Sequence, residues 1–425
     1  MAQVYVLHQN GQPLMPTTPG KARQLLKQNK AKILHYEPFT IRLRYETPAY
    51  TQPVTLGVDS GSATIGLSAS TEKKELFSSE VVLRRDVSDN LTERAMYRRN
   101  RRNRKTRYRQ PRFLNRVKSK HKGWLAPSIE QKIACHQHMI NKVHHLLPIS
   151  KIVVETASFD TQLMQNAGIS DAQYQQGAQL GFFNTREFIL FRDDHMCQLC
   201  KGKKNDPILN VHHLVYRSMG GTDAPSNLIT LCNSCHTSDN HEPGKPLWAW
   251  CQAKKTMGNF KSATFMGVMR PTLLKRLRQS YPVVEETFGY VTKNNRIRAN
   301  LVKTHAIDAL MITGNLRAKP LQRIMAYKKV RQHNRSLHKA TILKGGYRKS
   351  NQASFEVKGF QLFDKVRFEG QNGFITGRRK TGYFAIKTID GDWIHKSGNH
   401  KKCQLLQRRR NYIQQEVNRL VSSPL

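Results

Sequence analysis

Cys197-Gln-Leu-Cys200 and Cys232-Asn-Ser-Cys235 each place two thiols in one tight turn. Four such soft ligands suit a tetrahedral zinc ion, because each turn supplies half of the coordination shell. Between the pairs lie the adjacent His212 and His213, followed by Asn227; His236 directly follows the last cysteine. Val211–Val215 has strand character, so its neighbouring histidines point to opposite faces. One can bind a metal while the other meets a substrate. Phosphodiester hydrolysis needs a base to activate water, a cation to stabilise developing charge and a group to orient the base. This compact set holds residue types for all three jobs.

A second set is scattered along the chain. Asp59 ends the apolar run Val54–Asp59, Glu155 ends Lys151–Glu155, and His305 and Asp308 stand three apart on one face of a helix candidate, Thr304–Leu316. Acidic residues are scarce, 29 against 71 Lys and Arg, yet these three sit in otherwise apolar segments. A carboxylate in such a place needs a cation or a hydrogen-bond partner. Three of them converging on divalent ions would form a two-metal phosphodiesterase site, in which the ions stabilise the attacking and leaving oxygens.

The elements that must position these residues follow from apolar periodicity and turn residues. Residues 1–50 read as a small α/β unit. Val54–Asp59 and Ile65–Ala69 form a strand, turn and strand around Ser60-Gly61-Ser62. Ile129, Ile133, His136, Ile140, Val143 and Leu147 recur at helical spacing, which predicts an amphipathic helix over 126–147. Lys151–Glu155 is a short continuous apolar strand, the kind buried on both faces of a sheet. Residues 161–185 are Gln-rich and read as a linker, and helical pattern resumes near Ala263. From Ala353 onward, short alternating segments separated by Gly and Asp-Gly turns predict a small, basic, barrel-like domain. The expected class is a multidomain α/β protein.

A net charge of +42 opposes compaction unless a polyanion neutralises it. Phosphate contacts would do so and release condensed counterions, so nucleic acid is the expected partner. The charge concentrates from Arg94 to Lys122, where Arg98, Arg101, Arg102, Lys105, Arg109 and Arg112 recur at roughly helical spacing. In water this block would repel itself; against RNA phosphates it can order as a helix. The seven cysteines suit metal binding in a reducing compartment better than a disulfide framework. No secretory-signal pattern or membrane-length apolar run is present, so a cytoplasmic protein is expected, with no membrane partner.

The Cys/His stretch resembles a zinc-knuckle HNH endonuclease, a ββα-metal fold. The resemblance implies a structural zinc on Cys197, Cys200, Cys232 and Cys235. It implies His212 and His236 as ligands of a catalytic divalent ion, His213 as general base and Asn227 as the residue orienting that base. The segments TLGVDSGSATIGLSAS, KIVVETASFD and THAIDAL resemble the three pieces of a split RuvC-like nuclease with an RNase H-like fold. That implies a catalytic set of Asp59, Glu155, His305 and Asp308 on magnesium.

An HNH module between the second and third RuvC-like pieces resembles the IscB family and the large CRISPR effector nucleases. Pro13-Leu14-Met15-Pro16 matches the motif that names the first IscB domain. The implied division is a PLMP domain at 1–52, RuvC-like parts at 53–90, 123–165 and 251–325, and an arginine-rich bridge helix at 91–122. A linker with the HNH domain follows at 166–250, and a target-adjacent-motif-interacting domain at 326–425, the last by position alone. The implied protein is a monomeric ribonucleoprotein. It carries a guide omega RNA and cuts double-stranded DNA beside a flanking motif. An RNA-independent homing or restriction nuclease, or a non-cleaving transposon regulator, are the alternatives.

Overall fold

A computed structural model describes residues 3–102, 123–156, 184–253, 261–331 and 354–419. The chain divides into two compact units, residues 1–158 with 265–425, and residues 159–264. No helix among the described residues is long and apolar enough to cross a membrane.

The larger unit opens with β1 (Tyr5–Leu7), α1 (Pro19–Lys27), β2 (Ala31–Tyr36) and β3 (Phe39–Leu43). The three strands form a small sheet in the order β1-β3-β2, and α1 buries Ala22 and Leu25 in the same apolar cluster as Val4, Val6 and Ile41. Next come β4 (Thr55–Ser60), β5 (Thr64–Ser70), β6 (Glu75–Val82), α2 (Val87–Arg102), α3 (Pro127–His144) and β7 (Lys151–Glu155). The smaller unit contributes α4 (Thr185–Arg192), β8 (Leu209–His213), β9 (Leu228–Cys232) and α5 (Pro246–Ala253). The chain continues with α6 (Lys261–Ser280), β10 (Val284–Thr287), α7 (Gly289–Arg298), α8 (His305–Ile312) and β11 (Arg323–Lys329). It closes with β12 (Glu356–Val357), β13 (Phe360–Gln361), β14 (Lys365–Phe368), β15 (Gln371–Arg378), β16 (Tyr383–Lys387), β17 (Trp393–Asn399), β18 (Cys403–Gln407) and β19 (Tyr412–Asn418).

A seven-stranded mixed sheet, β10-β7-β4-β5-β6-β11-β19, organises the larger unit. β10, β7 and β4 run parallel, while β4, β5 and β6 form an antiparallel meander. Alternation sorts each strand's side chains to two faces. Leu56, Val58, Ile65, Leu67, Ile152 and Val154 enter one core with Ile133, Met139 and Ile140 of α3 and Phe265, Met269 and Leu273 of α6. The opposite face carries Gly57 and Gly66, and α8 lies against it. A Cβ on either glycine would fall on the backbone carbonyl oxygens of Ala309 and His305. These two glycines therefore let the helix approach the sheet at backbone distance.

The C-terminal strands divide between sheets. β14 to β18 make a five-stranded antiparallel sheet in the order β17-β16-β15-β14-β18, around Val366, Phe368, Ile375, Phe384 and Ile386. β11 and β19 instead extend the large sheet, so the expected boundary near residue 326 falls inside β11. Buried Lys365 pairs with Glu37 at 2.6 Å, tying the five-stranded sheet to the N-terminal one.

A buried ion pair braces α8. Glu75 accepts from the Ser68 hydroxyl at 2.6 Å, from the Leu321 amide at 2.8 Å and from Arg419. Arg419, just beyond β19, also donates to the Ala306 carbonyl at 2.9 Å. Removing one member of such a pair leaves the other charge buried alone, which costs about 3–5 kcal/mol. Glu75→Ala is therefore expected to lower the unfolding free energy of the larger unit, measured by urea denaturation, by that order. Glu75→Leu with Arg419→Met should cost much less. Equal losses in the two variants would contradict a charge-pair origin.

Candidate functional site

In the smaller unit the β8–β9 hairpin displays the histidines and the flanking turns carry the cysteines. Cys197, Cys200, Cys232 and Cys235 bring their sulfurs within 4.8 Å of one another, and none is in a disulfide. The Cys200 and Cys232 sulfurs lie 3.8 Å apart. A tetrahedral ion with bonds of ~2.3 Å needs ligand sulfurs about 3.8 Å apart. Burial pushes the Cys235 thiol up to about 12, while the Lys204 backbone amide draws Cys200 down to about 7. A bound cation would hold all four as thiolates. Donor type, number and spacing thus fit zinc.

The paired histidines separate as the pleat requires. His212 is buried and meets His236 and His241, whose ring nitrogens all lie within 4.8 Å of one another. His212 Nδ1 is 3.2 Å from His236 Nε2, and the buried His212 Nε2 has no hydrogen-bond partner. Burial lowers the His212 pKa to about 4 and lowers that of His236 also, so both stay neutral and able to ligate. His241 accompanies His212 and His236 as a third donor that the sequence reading omitted. Its signal is a histidine five residues after His236, on a short 3₁₀ turn at Asp239–His241. Three imidazoles, one of them with an orphaned ring nitrogen, suit a divalent cation.

His213 faces away from that trio. Its Nε2 lies 2.7 Å from Asp223 Oδ1 and 3.2 Å from Arg217 Nε. Asn227 meets the backbone that follows His213. Its side chain accepts from the Val215 amide at 2.9 Å and donates to the Val215 and Thr222 carbonyls at 3.1 and 2.9 Å. Asn227 clamps the loop that carries Asp223, and Asp223 and Arg217 both touch the imidazole.

The scattered acids meet at one end of the large sheet. Asp59 and Glu155 are register partners on the parallel strands β4 and β7, and Thr287 of β10 continues the row. The Ser60 hydroxyl donates to the Glu155 carbonyl at 2.5 Å, joining the two strand ends. His305 is the first residue of α8, which Thr304 caps through the Ile307 amide at 3.1 Å. Glu80 accepts from the Ala306 amide at 3.0 Å. His305 Nδ1 then sits 2.5 Å from Asp59 Oδ2, and that hydrogen bond raises the His305 pKa.

Asp308, one turn on, is paired with Arg296 Nε at 2.9 Å. Burial raises the pKa of both Glu155 and Asp308, and the negative charge of Asp59 adds to each. The buried Glu155 Oε2 has no hydrogen-bond partner. Three mutually repelling carboxylates, one with an orphaned oxygen, fit hard divalent cations. Arg296 supplies positive charge on the Asp308 side.

The arginine-rich stretch is described only at its start. Helix α2 begins at Val87, before the arginine run, and ends at Arg102 with Arg98 on it. The side chains of Arg101 and Arg102, and all of Lys105, Arg109 and Arg112, lie outside the described residues.

Replacing both Cys197 and Cys200 with serine removes half of the thiol donors. Metal analysis of the purified protein is expected to fall from about one zinc per chain to near none, with unfolding of the smaller unit. Unchanged zinc would overturn the assignment of these four cysteines.

Comparison with known proteins adds two family matches. Residues 4–177 match the RRXRR protein family, and residues 197–242 match the HNH endonuclease family. No curated protein matches the chain. Among solved structures it is similar to Streptococcus thermophilus Cas9 in complex with the AGAA PAM, at 12% identity and a TM-score of 0.29, over 45% of this chain and 26% of that one. A second Streptococcus thermophilus Cas9 structure, in complex with the AGGA PAM, matches at 13% identity and a TM-score of 0.33, over 62% of this chain and 32% of that one. The chain thus spans under a third of the length of either Cas9 structure. One polypeptide joins an RRXRR segment to an HNH endonuclease module, an organisation consistent with an IscB-like effector.

Proposed function

We propose that this protein is an RNA-guided DNA endonuclease with two separate centres. A guide omega RNA pairs with one strand of the target DNA beside a flanking motif. The HNH module cuts the paired strand, and a RuvC-like site built from Asp59, Glu155, His305 and Asp308 cuts the displaced one. The observation that carries this reading is the in-register Asp59–Glu155 pair with His305 hydrogen-bonded to Asp59. It lies on a sheet in which parallel β7 and β4 are followed by the β4-β5-β6 meander, an order that supports the RNase H-like reading. The chain's +42 charge and its RRXRR segment support a bound nucleic acid.

The division of labour follows from the side chains. In the HNH module His213 takes a proton from the attacking water, and Asp223 holds the ring and offsets the charge it gains. His212, His236 and His241 would hold a divalent ion, and Asp59, Glu155 and Asp308 would hold magnesium in the RuvC-like site. Such ions stabilise the oxyanion charge of the phosphoryl group in flight. In the RuvC-like site His305 positions Asp59 and bridges it to α8. The arginines of α2 and beyond are proposed to grip RNA. Pairing would then select the sequence, while the protein reads hybrid shape and the flanking DNA. The domain division given by the sequence is retained, except that β11 and β19 join the large sheet.

Strand-labelled cleavage tests this. Asp59→Ala and Glu155→Ala should each leave a nickase acting only on the paired strand. His213→Ala should slow paired-strand cutting by about 10²–10⁴-fold, the ordinary contribution of a general base, and leave displaced-strand cutting. Site-specific cutting should vanish when omega RNA is withheld. Loss of both cuts in His213→Ala with binding intact would contradict two separate centres. Full site-specific cutting without RNA would favour an RNA-independent HNH nuclease.

A further inference from the structure

Phe288 and Tyr290 stand directly beside the acid row. Thr287, the last residue of β10, is in register with Glu155, so the chain leaves the sheet at the level of the carboxylates. Phe288 and Tyr290 then flank Gly289, where an added Cβ would lie 3.3 Å from Glu155 Oε1. The two rings are nearly parallel, with centroids 6.0 Å apart and planes 9° apart. Both are exposed, Phe288 at 46% and Tyr290 at 67%. Lone exposed aromatics are ordinary. A stacked pair flanking the glycine that lies against the half-buried Glu155 is a more particular arrangement.

The charges around the pair indicate the occupant. Lys293 and Arg298 are exposed on α7, and Lys303 acts electrostatically on both Glu155 and Asp308. A cationic rim with an aromatic platform is the pairing that single-stranded nucleic acid needs, because phosphates meet the cations while bases stack on the rings. In an open α/β sheet, ligands also enter beyond the carboxyl ends of the parallel strands, which is where these rings lie.

From this placement we infer that Phe288 and Tyr290 form a stacking platform for an unpaired base of the DNA strand entering the acid site. The platform would hold the strand by a face every base has, and so fix its path without selecting sequence. The assignment rests on the RuvC-like reading of Asp59, Glu155 and Asp308.

The test separates binding from cleavage. Full-chain protein carrying Asp59→Ala is mixed with a single-stranded oligonucleotide containing 5-iodouracil, then irradiated and digested. Crosslinks are expected on the peptide containing Phe288 and Tyr290. With Phe288→Ala and Tyr290→Ala added, that crosslink should disappear and the oligonucleotide should bind about 10- to 100-fold more weakly at fixed salt. Phe288→Tyr with Tyr290→Phe keeps both rings and should restore both signals, excluding a folding defect. Crosslinks confined to other peptides, or unchanged affinity in the double alanine variant, would overturn the platform. If Asp59→Ala alone still cuts the displaced strand while the crosslink stands, the catalytic assignment fails and the platform survives.

Discussion

Parallel pairing of β4 with β7 places Asp59 and Glu155 side by side, although nearly a hundred residues separate them in the chain. A one-residue slip of that register would send one carboxylate to the opposite face, into the core of α3 and α6. The register is held from both directions. Val58 and Val154 must stay in the apolar core, and the Ser60 hydroxyl donates to the Glu155 carbonyl. The third acid arrives on a helix that can lie close only because Gly57 and Gly66 have no side chains. Electrostatics opposes the result: burial and neighbouring charge raise the pKa of Glu155 and Asp308. The fold maintains this repulsion through apolar packing, and a bound cation would relieve it.

The smaller unit solves a similar problem with different chemistry. Its β8–β9 hairpin is short, and the four cysteines belong to its apolar cluster beside Leu231 and Leu247. A metal there would add folding free energy to that small core. The histidine trio is distinct from the sulfur site, so a structural ion and a reactive one need not compete. The pleat then divides His212 from His213. His212 faces inward beside His236 and His241, and the His213 ring is exposed enough to meet water and is held by Asp223. Asn227 acts one step further out, through the backbone of Val215 and Thr222.

Much of this was legible in the sequence where a local pattern carried it. C-x-x-C spacing exposed the thiols, acids closing apolar runs exposed Asp59 and Glu155, and Thr304 before an apolar helix pattern marked the start of α8. Residues whose roles depend on tertiary placement were not legible. Asp223 has no local signature, since its partner His213 is ten residues away in the chain, and His241, five residues after His236, meets His212 only through the fold. Arg419 is one of 71 basic residues, and nothing nearby distinguishes it as the buried partner of Glu75. Alternation marked β segments from residue 355 to 394 but not β18 or β19, and period alone cannot say which sheet a strand joins. β19 therefore joins the large sheet while β18 stays with the small one.

The central claim is that Asp59, Glu155 and Asp308 surround a divalent cation. Iron-directed backbone cleavage tests it most directly: ferrous ion is substituted for magnesium, and ascorbate with peroxide then generates radicals at the bound metal. Fragment ends near residues 59, 155 and 308, suppressed by excess magnesium and absent in Asp59→Ala, are the predicted outcome. Cleavage confined to the neighbourhood of His212, His236 and His241, with none near the three acids, would contradict it.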